Sequence, residues 1–348
     1  MSAVAAHGPG TRSSRVLGRG RFFPVAVALI GAIGIAGFLW SLSIGPQHIS
    51  VGDRIGGIVS PDQTAQQLIV HLIRLPRALE AALIGASLAM AGVIMQGITL
   101  NPLGAPEIMG VNAGAALLVT LSVTVWTGIS GTSVLALAFA GGAVASAFVF
   151  AFARFGRGGL SPLRLALAGV TVTALLFSLM QGIFILHVET ASTLMFWLVG
   201  GVNYADWHDI HMVWPWLAAG TVAALLLAAP LNVLALGDDM ARGLGQNVAR
   251  TRFIGAATIV VLAGACVGVA GPVAFLGLIV PHIVRRLVGV NHFLVMPLAA
   301  LTGATLFVYA DVGSRYVSSL GQTPSGLVTA LIGAPVFIYL ARREKMSG

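Results

Sequence analysis

The sequence predicts an all-α polytopic membrane protein with about ten transmembrane helices, and three observations predict it. Hydrophobic residues make up 57% of the chain and charged residues only 9%, whereas soluble domains carry about 25% charge. Apolar blocks recur at the length that crosses a hydrocarbon core of about 30 Å, roughly 20 residues each. The 44 glycines suit membrane helices whose backbones approach closely. Residues 1–348 therefore read as a single transmembrane domain.

The first element is a basic tail, residues 1–23, with Arg12, Arg15, Arg19 and Arg21 ahead of an apolar run. That run is too long for a signal peptide, and no small-x-small cleavage site follows it. It reads as an uncleaved first span, residues 24–44, with the tail in the cytoplasm. An external loop, 45–67, contains Pro46, Asp53, Arg54 and Pro61 and a short helix. Span two, 68–99, opens on Arg74-Leu-Pro-Arg77 and stops at Asn101-Pro102-Leu103-Gly104-Ala105-Pro106, a cluster that must end a helix.

Spans three (108–126) and four (134–152) follow, then a short basic turn with Arg154, Arg157, Ser161, Pro162 and Arg164. Span five is 165–186. The external segment 187–211 carries Trp197, Tyr204 and Trp207 as interface anchors. Span six is 212–230. Spans seven (253–269), eight (272–286), nine (293–309) and ten (325–340) complete the set, with a break at Gly321-Gln322-Thr323-Pro324 and a tail bearing Arg342, Arg343 and Lys345.

Residues 236–252 form the longest strongly polar interval between two apolar blocks. Asp238 and Asp239 follow Gly237, where carboxylates face the positive end of a helix dipole, and Arg242 lies on the same face one turn later. Gly245 can close this short helix in a left-handed cap, and Asn247 can start the next. An ordinary solvated loop needs no such punctuation, so the stretch reads as a docking surface, its part 247–252 leading into span seven.

Ten spans put both termini on one side, and the basic residues agree. Of the 19 Lys and Arg residues only Arg54, Arg74, Arg77 and Arg315 fall on the other side, the bias shown by cytoplasmic loops. The net charge of +8 thus reflects membrane topology, and no nucleic-acid partner is expected. A weak echo, Ala91-Gly92 before Asn101-Pro102 and Ala270-Gly271 before Val280-Pro281, predicts an inverted repeat of spans two to five and seven to ten.

Several chemistries are excluded. Lys345 is the only lysine and no phosphate-cradling loop surrounds it, so any ATP and its Mg must be bound by a separate ATPase subunit. Gly-x-Ser-x-Gly and His-Glu-x-x-His are missing too, so the chain is read as a non-enzyme with no cofactor of its own. Cys266 is the sole cysteine and reads as a packing residue. An ion-coupled secondary carrier needs buried acids; only Glu80 is a candidate, and Arg77 one turn away is expected to neutralise it. Asp206, His208, Asp209 and His211 are metal-capable but read as a solvated interfacial helix, with no metal site. Arg74 and Arg77 share a face near the outer end of span two, and Arg315 lies at the outer end of span nine. They read either as cations snorkelling to headgroups or as external knobs for an acidic partner.

The same stretches, in order, resemble the FecCD-type permeases of ABC importers for iron-siderophores, haem and cobalamin. The matching residues include Arg74-Leu-Pro-Arg77; Gly85 to Gly92 with Gln96; Asn101-Pro102-Leu103-Gly-Ala-Pro106 and Gly110-Val-Asn112-x-Gly114; Leu234-Ala-Leu-Gly237 with Ala241-Arg242-x-Leu244-Gly245; Gly271-Pro-x-x-Phe275 to Pro281-His282-x-x-Arg285; Asp311-x-x-x-Arg315; and Gly326 to Phe337. The resemblance implies a type II importer architecture in the cytoplasmic membrane, with both termini cytoplasmic. The permease would pair with a second permease subunit, as a homodimer or with a similar chain, and with two ATP-binding subunits inside and a substrate-binding protein outside.

Residue by residue, it implies a coupling segment at Leu236, Gly237, Asp238, Asp239, Ala241, Arg242, Leu244 and Gly245. Docking of the binding protein would fall to Arg74, Arg77 and Arg315, and a cytoplasmic gate to Asn101, Leu103, Ser161 and Pro162. Thr323-Pro324-Ser325-Gly326 and Pro162 depart from the family's pattern. Thr171, Thr173, Ser178, Met180 and Gln181 of span five would suit a large ligand of mixed polarity. A ferric siderophore is the expected cargo, with haem or cobalamin as the alternative.

Overall fold

The structure is a computed structural model that describes residues 22–45, 47–60, 64–125, 131–154, 162–317 and 323–345. Among these the chain is helical throughout, without strands. The expected tail arginines Arg12, Arg15, Arg19 and Arg21, the turn residues Arg157 and Ser161, and Gly321-Gln322 lie outside the described residues.

Helix α1 is Phe23–Ser43, α2 Val51–Val59 and α3 Ala65–Thr99; α4 is Val111–Val125, α5 Gly131–Arg154 and α6 Pro162–Leu186. Then come α7 Val188–Leu198, α8 Trp207–Leu226, α9 Ala228–Leu234, α10 Asp238–Gly243, α11 Val248–Ala270, α12 Leu276–Val288, α13 His292–Val317 and α14 Ser325–Lys345. Each of the ten expected spans coincides with a helix. Seven of them (α1, α3, α5, α6, α8, α11 and α13) are long and apolar enough to cross a membrane, while Val111–Val125 and Ser325–Tyr339 are shorter apolar helices and α12 has 13 residues. Two of the short ones, α4 and α12, follow non-helical stretches: 100–105 leads through the turn Pro106–Met109 into α4, and 271–275 leads into α12. They also meet: the Phe275 N–H donates to Glu107 Oε1 at 3.1 Å.

Helix α3 is the axis of the fold. Its 35 residues extend about 52 Å at 1.5 Å each, so it projects beyond the core at one end. There the helix widens to a π-turn over Val70–Arg74, with the Leu75 N–H donating to the Val70 carbonyl. Pro76 follows, and it has no N–H to give its preceding turn. Two glycines on one side of α3 permit its closest contacts. A Cβ on Gly85 would overlap the Gly303 carbonyl of α13, and one on Gly92 would overlap the Gly277 carbonyl of α12. In lipid, where burial offers no drive between helices, such backbone approach supplies the packing energy.

The pairing of the two halves is reciprocal. Helix α3 packs chiefly on α13, α11 on α5 and almost equally on α3, α4 on α5, and α12 on α3 and α13. Helices α3 and α11 run oppositely, since the end of α3 at Ile98 meets the start of α11 at Gly255. Opposite direction with exchanged partners is what an inverted repeat requires. Helix α8 begins at Trp207, inside the segment expected to be external, because Asp206 caps it by accepting from the Asp209 N–H at 2.8 Å.

Candidate coupling and docking sites

At one end of the bundle the chain leaves α9, turns at Gly237 (φ 97) and forms α10. Asp238 and Asp239 occupy its first turn and Arg242 its last; Arg242 lies 3.5 Å from Asp238 and 3.1 Å from Asp239. The Asp239–Arg242 pair is exposed, so those two charges are open to a partner. Gly245 (φ 82) closes the turn and Asn247 caps α11 through the Arg250 N–H. Ala241 is buried beneath α10. Leu236, Met240 and Leu244, spaced by four, are 58%, 60% and 64% exposed. Leu236 precedes α10, Met240 lies on it and Leu244 follows it, so exposed apolar side chains accompany the charges of this short helix.

The expected gate residues sit beside this end. Leu100 adopts a left-handed conformation (φ 52) that stops α3, with the Asn101 N–H donating to the Gln96 carbonyl at 3.2 Å. Asn101 Oδ1 then accepts from the Leu103 N–H at 3.0 Å, fixing a tight turn. Pro162 opens α6. With Ser161 outside the described residues, the structure assembles only the Asn101–Leu103 half of that gate. Beneath it, Gln96 Oε1 accepts from Arg285 Nη1 of α12.

Of the expected pathway residues, Thr171, Ser178 and Gln181 are exposed on α6 within this chain, whereas Thr173 is half-buried. Met180 is corrected: it is 1% exposed and packs with Ala116, Phe184 and Leu194. At 100° per residue it lies opposite Thr171, so the two cannot line one surface.

At the opposite end, the expectation of three projecting cationic knobs is also corrected. Arg74 is buried and donates to the carbonyls of Leu42 (2.9 Å), Ser43 (3.0 Å) and Gln47 (2.8 Å). Helix α1 ends there, and its last carbonyls lack intrahelical partners. Arg77 forks onto Asp311, with Nε at 2.9 Å and Nη2 at 2.7 Å from Oδ1, and also reaches Asn203 at 2.8 Å. Arg315 shares the same carboxylate through Oδ2 and bonds the Ser41 carbonyl at 2.9 Å. One carboxylate between two guanidiniums leaves this cluster net positive. Arg77 spends its hydrogen bonds on Asp311 and Asn203 and makes no ion pair with Glu80, which is 1% exposed with its Oε2 lacking a hydrogen-bond partner. Asp206 is spent as a helix cap, and among the described residues no group of three His, Cys, Asp or Glu side chains could hold a metal ion.

Residues 32–343 match the FecCD transport family. The chain belongs to that family. It is 42% identical over 325 residues to the Fe(3+)-citrate import system permease protein YfmD of Bacillus subtilis (strain 168), covering 93% of this chain and 96% of the relative. It is 40% identical over 332 residues to the ferric enterobactin transport system permease protein FepD of Escherichia coli (strain K12), covering 93% and 99%. Its structure is similar to that of a metal-chelate type ABC transporter in an inward-facing conformation, with a TM-score of 0.81, 30% identity, and 92% and 99% of the two chains covered.

In this FecCD family member two long-range contacts escape sequence reasoning. Asp311 is visible in the motif, but its role as the shared counter-ion of Arg77 is not, since the pair is 234 residues apart. Arg252 looks like one more basic residue at a membrane edge, yet its side chain bonds both Asp238 and the end of α3. No periodic signal reports either contact.

Proposed function

We propose that this chain is the membrane-spanning permease of an ABC importer for a ferric chelate of the siderophore or iron-citrate class, energised by a separate ATPase docked on α10. The observation that carries the reading is the exposed apolar group of Leu236, Met240 and Leu244 on and beside a short helix fixed to the bundle. An apolar group flanked by charges fits a groove on a protein partner. The chain has no phosphate-binding loop, so ATP acts on it only through differential contacts in two states, and α10 is the surface suited to make them. The iron-citrate and enterobactin permeases among its relatives support the cargo class.

The substrate-binding protein is assigned to the opposite end, where the Arg77, Asp311 and Arg315 cluster stays net positive. The exposed α6 face bearing Thr171, Ser178 and Gln181 is assigned to the pathway and to a second permease subunit, and both termini to the cytoplasm. The test is ATP-driven uptake in proteoliposomes containing the cognate ATPase and binding protein, offered ferric citrate, a ferric hydroxamate, ferric enterobactin, haem and cobalamin. Uptake of an iron chelate alone supports the proposal; uptake of cobalamin or haem in preference overturns its cargo. Uptake that follows a proton gradient without ATP overturns the transporter class.

A further inference from the structure

Arg252, the fifth residue of α11, makes three bonds that join separate parts of the fold. Its Nη1 and Nη2 donate to Asp238 Oδ2 and Oδ1 at 3.0 and 2.9 Å, a forked pair with the first residue of α10. Its Nε donates to the Ile98 carbonyl at 3.0 Å. Ile98 is in the last turn of α3, where carbonyls lack intrahelical donors, so the guanidinium acts as a side-chain cap on that helix. The planar fork suits this double task, because it presents the carboxylate pair and the remaining N–H in fixed directions.

Two further contacts make the neighbourhood stiff. Gly255, one turn on from Arg252, lies so close to α3 that an added Cβ would stand 2.8 Å from the Ile98 side chain. Gln246 Nε2 donates to the Pro230 carbonyl at 3.0 Å and to Thr251 Oγ1 at 2.9 Å, tying the first turn of α9 and the turn after α10 to α11. Displacing α10 therefore pulls on α11 and, through Arg252, on the last turn of α3. That turn continues directly into Leu100, Asn101 and Leu103, whose geometry depends on where α3 stops.

We infer that Arg252 is the positioning residue that transmits movement of α10 to the Asn101–Leu103 turn, so that the state of the ATPase is read at the end of α3. The inference rests on the reading of α10 as the ATPase-docking helix. Arg242, by contrast, pairs with Asp238 and Asp239 inside α10, and it is Arg252 that carries the bond to α3.

The experiment uses the complete transporter in proteoliposomes and reads cargo imported per ATP hydrolysed, with ferric citrate as the first probe. Arg252→Ala is expected to lower that ratio about ten-fold, within the usual range of coupling energies. An unchanged ratio overturns the inference. The double variant Asp238→Arg with Arg252→Asp restores an ion pair but aims a carboxylate at the Ile98 carbonyl. It is expected to assemble with the ATPase and remain uncoupled, and full recovery of the ratio would show that the α10–α11 pair alone matters. Failure of both variants to assemble also overturns the inference, by making Arg252 a folding contact. Met240→Glu separates this from the underlying reading. If it leaves ATPase binding intact, the docking assignment fails. If it abolishes binding while Arg252→Ala keeps the wild-type ratio, only the relay fails.

Discussion

Arg77 Nη2 lies 2.7 Å from Asp311 Oδ1, joining the N-terminal part of α3 to the C-terminal part of α13. Both side chains are largely buried, so removing one partner leaves an uncompensated charge, at a cost of about 3–5 kcal/mol. Asp311 serves Arg315 as well. Asp311→Asn is therefore expected to lower the thermal midpoint of the detergent-solubilised permease more than Arg315→Gln does. Equal midpoints for Asp311→Asn and the parent chain would show that the cluster contributes nothing to stability.

Glu80 presents the opposite situation. Its Oε2 is buried without a hydrogen-bond partner, and an isolated buried carboxylate is costly to keep charged. Glu80→Gln preserves the shape and removes the charge. The variant is expected to be as stable as the parent or more so, by up to about 1–3 kcal/mol. A drop in midpoint would mean that the carboxylate is engaged in a contact that the amide cannot make.

At Gly92 an added Cβ would overlap the Gly277 carbonyl of α12. Gly92→Leu must push α12 away from α3, and overpacking of this kind costs about 1–3 kcal/mol or more. Reduced yield of folded protein and loss of uptake are expected, whereas Gly243→Leu, where an added Cβ meets nothing within 4 Å, is expected to fold normally. Equal folding of the two variants would contradict the packing described.

On α10, Met240 is 60% exposed, so Met240→Glu cannot disturb the core. Replacing the centre of an apolar docking group with a charge is expected to weaken ATPase binding by about 2 kcal/mol or more. Pull-down of the ATPase by the solubilised permease measures it, with Arg242→Glu as the companion variant for the charged rim. Normal recovery of the ATPase with both would remove α10 from the interface.

Composition and block length were enough to read the all-α membrane class, because a bilayer admits few other solutions for a chain so apolar. Helix ends were legible wherever a local rule governs them: Asn101-Pro102 after α3, Gly245 before α11, Asn247 as its cap. The polar stretch around Asp238 was legible as well, because it interrupts an apolar pattern. What the sequence could not carry was the destination of each long charged side chain. Arg74, Arg77 and Arg315 looked like projecting cations, and tertiary packing brought orphan carbonyls of α1 and the Asp311 carboxylate within their reach. Met180 looked like a lining residue, and only the packing of α4 and α7 against α6 decided that its side of the helix is core. Local patterns fix where a helix starts, stops and turns its apolar face, whereas a contact such as Arg252 to Ile98 depends on two helices meeting, and that is decided by the packing of the whole bundle.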